Sequence, residues 1–122
     1  MKSVDKMLYS VSENIAILTI NRPERRNALD AETLEQINIL MDKAEHDEKV
    51  RVILIHGKGD TFSSGFDLKD QMEKNPQGKQ WKPILELDYQ TIMRFWNSPK
   101  PTIAAVKGAC LAGAFELSLA CD

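Results

Sequence analysis

The sequence predicts an α/β fold, and three observations predict it. Short runs rich in β-branched residues, IAILTI at 15–20, VILI at 52–55 and TIAAV at 102–106, have the length and composition of strands. Between them lie segments whose apolar residues recur every three or four positions, the helical period. Strand-like and helix-like segments alternate through most of the chain, the pattern of helices packed on a mostly parallel sheet.

The elements follow in order. Met7–Ser12 and Ile15–Ile20 read as two strands joined by a turn at Glu13-Asn14, and Asn21-Arg22-Pro23 ends the second because proline cannot continue a ladder. From Ala31 the residues Leu34, Ile37, Leu40, Met41 and Ala44 share one helical face, with Asp30 placed as N-cap and Glu32 in the first turn. Val52–Ile55 reads as a buried, parallel strand leaving through His56-Gly57-Lys58-Gly59-Asp60. After a turn at Ser63-Ser64-Gly65 a short helix is expected over Phe66–Glu73, then a polar, mobile loop over Asn75–Lys82 (NPQGKQWK). Ile84–Trp96 has helical spacing and stops at Asn97-Ser98-Pro99. Thr102–Val106 reads as a second buried strand, and Ala112–Cys121 as a closing helix in a segment suited to burial.

Composition bounds the possibilities. With 122 residues, 43% of them hydrophobic and 28% charged, the chain has the profile of a soluble globular protein of about one domain. A chain of this size buries roughly two-thirds of its unfolded surface, so no disulfide framework is needed. Cys110 and Cys121 lack CxxC spacing and a histidine partner, and read as buried thiols of a reducing compartment, with metal binding a distant alternative. A net charge of -2 and a pI near 5.7 give no general attraction to nucleic acid or anionic membrane. The N-terminus has no apolar targeting core and no stretch of about 18 apolar residues occurs, so the expected location is the cytoplasm.

Two loops carry the chemical interest, FSSGFDLK after VILI and KGACLAGAFEL after TIAAV, since each leads from a strand through glycine into a helix. In a parallel sheet such turns lie at the carboxyl ends of strands, where ligands usually bind. The first N–H groups of a helix have no intrahelical acceptor and can face an anion or a polarised carbonyl. The plain alternative is that the glycines only make tight turns.

Four stretches together carry a family resemblance: INRPERRNALD at 20–30, VILIHGKGDTF at 52–62, FSSGFDLK at 62–69 and KPTIAAVKGACLAGAFELSLACD at 100–122. In order and spacing the chain resembles the crotonase, or enoyl-CoA hydratase/isomerase, superfamily over essentially its whole length. The resemblance implies a ββα spiral fold of which residues 1–122 form the N-terminal part of a single acyl-CoA-binding domain. It implies that the N–H groups of Phe66 and Gly113 hold a thioester carbonyl, where one such donor lowers a barrier by about 3 kcal/mol. Asp67, Leu68 and Lys69 match the stretch lining the CoA arm, with Ser64 and Gly65 of the same loop also counted as substrate-binding. Arg25, Arg26 and Ala28 match the segment beside the nucleotide end, where cations suit phosphates; the plain alternative for Arg25, Arg26 and Lys69 is solvated surface charge. Glu116, three residues after Gly113 and about one helical turn on, matches the glutamate that orients water in the family's hydratases. Its setting between Phe115 and Leu117 favours that role over a first-turn helix-dipole contact, because burying an unpaired carboxylate is costly.

The implied reaction is hydration of a 2-enoyl-CoA, with acyl-CoA as partner, CoA as part of the substrate and no separate cofactor. The resemblance further implies a homotrimer or hexamer at full length, and the charge and the lack of a long apolar run give neither nucleic acid nor membrane as an expected partner. Departures from the pattern bear on this. Ala112-Gly113-Ala114 keeps only the central one of three glycines common in the family, which spares the donor, and Phe66 is bulkier than the usual alanine and is expected to reshape the acyl pocket. The hydratases' second glutamate would fall beyond Asp122, and hydration needs proton delivery as well as an activated water. With no glycine cap after the last helix, the chain is expected to be the N-terminal half of a larger protein or a truncated product. Isomerase, decarboxylase or hydrolase chemistry and non-catalytic acyl-CoA binding stay open. A Clp-type peptidase using Ser63 or Ser64 is disfavoured, since no GxSxG elbow exists and neither His46 nor His56 has triad spacing.

Overall fold

A computed structural model of the chain describes residues 5–122. Its elements run β1 (Met7–Ser12), β2 (Ile15–Ile20), α1 (Ala31–His46), β3 (Val52–Gly57), α2 (Leu68–Lys74), α3 (Trp81–Trp96), β4 (Thr102–Ala105) and α4 (Gly113–Ala120). Single 3₁₀ turns occupy Pro23–Arg25 and Gly78–Gln80.

One sheet has the order β1-β2-β3-β4; β1 pairs antiparallel with β2, and β2, β3 and β4 are parallel. The β1–β2 turn has two residues, and both Glu13 (φ 51°) and Asn14 (φ 66°) are left-handed, the twist that suits a tight hairpin. The parallel step from β2 to β3 requires a crossover, and α1 supplies it. Asp30 caps α1 by accepting from the Thr33 N–H at 2.9 Å, as the sequence predicts.

The core lies between the sheet and the helices. Ala16, Leu18 and Ile20 of β2 and Ile53 and Ile55 of β3 point to one face and are fully buried against Leu34, Ile37 and Met41 of α1, with Phe62, Phe95 and Leu117 completing it. Each of these side chains except Ala16 contributes about 1.5–3 kcal/mol by leaving water. α3 packs on both α1 and α4, and polar contacts fix it to α1: Asn38 Nδ2 donates to Thr91 Oγ1 at 2.8 Å and Arg94 pairs with Asp42 at 2.7 Å.

Several expectations need correction. The stretch 75–82 is not an irregular loop throughout, because Gly78–Gln80 forms a 3₁₀ turn and α3 starts at Trp81, three residues before Ile84. Pro83 does not stop it, since proline is tolerated in a first turn whose N–H groups have no acceptor anyway. The short helix starts at Leu68, not Phe66, because the Asp67 carboxylate accepts from the Asp70 N–H and caps it. Thr102–Ala105 is not a buried strand: Thr102 is buried, but Ile103 is 48% exposed, because β4 is the edge of the sheet. Leu111, Phe115 and Leu119 are likewise exposed, since α4 meets the core through Ala114 and Leu117, with Ala120 packed against it. The cysteines are half-buried, not buried, and burial pushes the Cys121 thiol up to about 11.

Candidate active site

Three segments that are far apart in sequence meet beyond the ends of the parallel strands. Residues 26–30 and 62–67 are joined by bonds from the Ser64 N–H to Arg26 O (3.0 Å), the Leu29 N–H to Gly65 O (2.8 Å) and the Asp67 N–H to Leu29 O (2.9 Å). Residues 62–63 are joined to the β4–α4 loop by bonds from the Ser63 N–H to Ala109 O (3.1 Å) and the Leu111 N–H to Ser63 O (3.2 Å). The two glycine loops therefore lie side by side.

Their contact explains the glycines. A Cβ on Gly65, whose φ is +98°, would sit 2.7 Å from Leu111 O and 3.2 Å from the Gly113 nitrogen. A Cβ on Gly113 would meet three ring atoms of Phe66 at 2.5–2.7 Å, so the Phe66 ring covers the face of Gly113. Among the described residues, neither the Phe66 N–H nor the Gly113 N–H has an acceptor: Leu29 bonds the Gly65 carbonyl and the Asp67 N–H on either side of the Phe66 N–H, and Gly113 opens α4. Two unpaired amides on touching residues can both point at one oxygen. Ala112, just before α4, is held at φ 48°, ψ −122°, a strained conformation for a residue with a Cβ.

Glu116 lies one turn into α4, and its carboxylate makes no hydrogen bond or ion pair with the described residues. It is exposed, so the reading of it as a buried carboxylate between Phe115 and Leu117 is corrected: Leu117 faces the core while Phe115 and Glu116 do not. A hydrated, unpaired carboxylate beside two free amides is equipped to orient a water or take a proton.

The candidate CoA-binding residues divide into two sets. Asp67 is 4% exposed and committed to the protein: besides capping α2 it accepts from Arg22 Nη1 at 3.2 Å and from Arg25 Nη2 at 3.2 Å. Burial by itself would raise the Asp67 pKa, but the Asp70 N–H and the two arginines outweigh it and hold the carboxyl low. Arg25 is thus tethered through Asp67, and Ala28 is buried with its carbonyl accepting from Arg22 Nη1 at 2.6 Å. Gly65 donates to Ser63 Oγ at 3.0 Å, while Ser64 is half-buried. Arg26, Leu68 and Lys69 are exposed beside this frame, and no side-chain bond from either cation is present among the described residues.

Three buried polar side chains are not singled out by the sequence reading. Arg22 is buried and joins Asp67 to Asp30, which it meets at 3.4 Å. Asn27 is fully buried in a left-handed conformation; its amide donates to Lys58 O and Thr61 O, and its oxygen accepts from the Arg22 N–H. Asparagine tolerates the left-handed conformation, and one shortly after a strand-ending proline is a cue for such a turn. Asp88 is 8% exposed on α3, and its cue is its place on the helical face of Ile84, Thr91 and Phe95, where an apolar residue is expected.

Ser63 Oγ donates to Asn27 O at 2.7 Å, His56 bonds Thr19 at 2.7 Å, and His46 bonds the Asp42 carbonyl, so no serine–histidine pair forms. Among the described residues no group of three or more His, Cys, Asp and Glu could hold a metal ion, and no helix is long and apolar enough to cross a membrane.

Comparison with known proteins identifies the family. Residues 10–122 match the family model described as enoyl-CoA hydratase/isomerase. A Bacillus subtilis (strain 168) protein named as a probable enoyl-CoA hydratase is 40% identical over 113 residues, covering 92% of this chain and 43% of its own length. A Mycobacterium tuberculosis (strain CDC 1551 / Oshkosh) protein named probable enoyl-CoA hydratase echA14 is 34% identical, covering 100% of this chain and 47% of its own. The crystal structure of an enoyl-CoA hydratase/isomerase from Xanthobacter autotrophicus Py2 superposes with a TM-score of 0.96 at 56% identity, covering 98% of this chain and 45% of that one. The chain thus spans about half the length of the relatives it matches. On the family match, the shared fold and the paired loops, this chain belongs to the enoyl-CoA hydratase/isomerase, or crotonase, family.

Proposed function

We propose that the chain is the N-terminal part of a single acyl-CoA-binding domain whose reaction is addition of water to a 2-enoyl-CoA. The Phe66 and Gly113 amides take the thioester oxygen, and each stabilises the enolate-like charge by about 3 kcal/mol. Glu116 orients the water. Exposed Arg26 and Lys69 meet the CoA phosphates, while Arg25, braced by Asp67, holds the loop that carries Phe66. Acyl-CoA is the partner and CoA leaves with the product, so no separate cofactor enters. A homotrimer or hexamer of the longer protein and a cytoplasmic location belong to the same reading.

The observation that carries this is the meeting of two acceptor-free amides with an unpaired carboxylate one helical turn away. The test is loss of crotonyl-CoA absorbance, run beside calorimetric titration with butyryl-CoA. Glu116→Gln in the intact protein should lower turnover by on the order of 100-fold or more and leave butyryl-CoA binding nearly unchanged. Equal loss of both would remove Glu116 from the chemistry. Because the chain spans less than half of its relatives, acyl-CoA binding without turnover is the second reading for these 122 residues by themselves.

A further inference from the structure

A small cavity of about 210 Å³ lies between α1, α2 and α3, with Leu29, Leu34, Pro83, Ile84 and Leu87 among its walls. It is the size of a subsite and not of a whole ligand pocket. Leu29 ties the cavity to the candidate active site, since its N–H bonds Gly65 O and it pairs with Phe66. Glu35 of α1 and Asp70, Gln71 and Lys74 of α2 share this lining, and α3 adds Asp88, 8% exposed.

Nothing in the fold accounts for that carboxyl. Its one hydrogen bond among the described residues comes from Gln71 Nε2 at 3.4 Å, at the long limit for such a bond. No described cation pairs with it, and Lys74, the cation on the same wall, is already paired with Asp70 at 3.1 Å. Asp30 and Asp67, by contrast, each have strong cationic partners. An aspartate buried this way costs stability that a leucine on the same face would add. Burial pushes the Asp88 pKa up; the Gln71 bond opposes this, and the charge of Glu116 on the neighbouring helix adds to the rise. Asp88 therefore holds its proton to higher pH than an ordinary aspartate, and in that form donates as well as accepts a hydrogen bond. The helix that carries Asp88, α3, packs on α4, which carries Gly113 and Glu116.

We propose that Asp88 sets acyl specificity: its carboxyl hydrogen-bonds a hydroxyl or oxo group on the acyl chain, so that the site prefers oxygenated acyl-CoA thioesters to plain hydrocarbon ones. This rests on the acyl-CoA reading above. A buried polar group discriminates well because the hydrocarbon analogue leaves it unpaired.

The probes are 4-hydroxybutyryl-CoA and pentanoyl-CoA, which differ by hydroxyl for methyl and offer a hydratase no double bond. Calorimetric titration of the intact protein should give a dissociation constant about tenfold lower for the hydroxy thioester. Asp88→Leu should reverse the preference, and Asp88→Asn, which keeps a donor and an acceptor, should retain most of it. A wild-type protein that binds both thioesters equally overturns the specificity role and leaves the acyl-CoA reading standing, whether or not Asp88→Leu folds. A wild-type preference that survives Asp88→Leu assigns the contact to another residue and also overturns it. Binding of neither thioester removes the acyl-CoA reading, and this inference with it.

Discussion

Replacing Asp30 with asparagine should cost the fold about 2 kcal/mol at neutral pH and almost nothing near pH 2. Asp30 joins the start of α1 to the loop that carries Arg22 and Arg25. Its carboxylate meets Lys6 at 2.6 Å and Arg22 at 3.4 Å, and accepts from the Thr33 N–H and hydroxyl at 2.9 and 2.6 Å. Burial opposes the charge, but the bonds from Lys6 and Thr33 and the charge of Arg22 outweigh it and bring the pKa from 3.8 to about 2. At about 1.4 kcal/mol per pH unit this is about 2 kcal/mol of folding free energy. The sign follows from proton binding. The unfolded chain takes up the proton first as pH falls, so the stabilisation is whole above about pH 4 and is lost down to about pH 2. Asparagine keeps the oxygen that caps α1, so the difference isolates the charge. Urea unfolding of both proteins at pH 7 and near pH 2, with matched m-values, measures it. Asp67 titrates in both and cancels. A difference that is the same at both pH values would refute the charge network as the source of stability.

Other expectations follow from the two loops. Gly113→Ala should destabilise by about 1–3 kcal/mol, because the new methyl group enters the space of the Phe66 ring, and pairing it with Phe66→Leu should recover part of the loss. Additive losses in that double-mutant cycle would show that the ring does not cover Gly113. Ala112→Gly should stabilise by about 1 kcal/mol and raise Tm by about 4 °C in thermal unfolding, since glycine adopts φ 48°, ψ −122° without the Cβ penalty; an unchanged or lower Tm would deny the strain.

Local order was well encoded. Periodicity located the strands and most of α1 and α3, because one face of each must meet the core, and Asp30 announced the start of α1 because its cap is a contact three residues away. Element starts that depend on a cap or turn farther from the apolar pattern were displaced, as at Leu68 and Trp81. The family motifs marked Phe66, Gly113 and Glu116, yet no local pattern separates Asp67, a buried brace, from Lys69, an exposed cation two residues on.

The sequence by itself therefore determined the alternating α/β order, the helical faces, the two glycine turns and the single carboxylate that follows the second. Only the tertiary structure decided that Gly65 approaches Leu111 and Gly113, that Asp67 is spent on Arg22 and Arg25, that Asp88 is buried with no cation paired to it among the described residues, and that β4 and much of α4 stay exposed. The physical reason is range. Helical and strand periods act within a few residues, whereas desolvation, charge pairing and the close approach of two backbones depend on which distant segments the fold brings into contact.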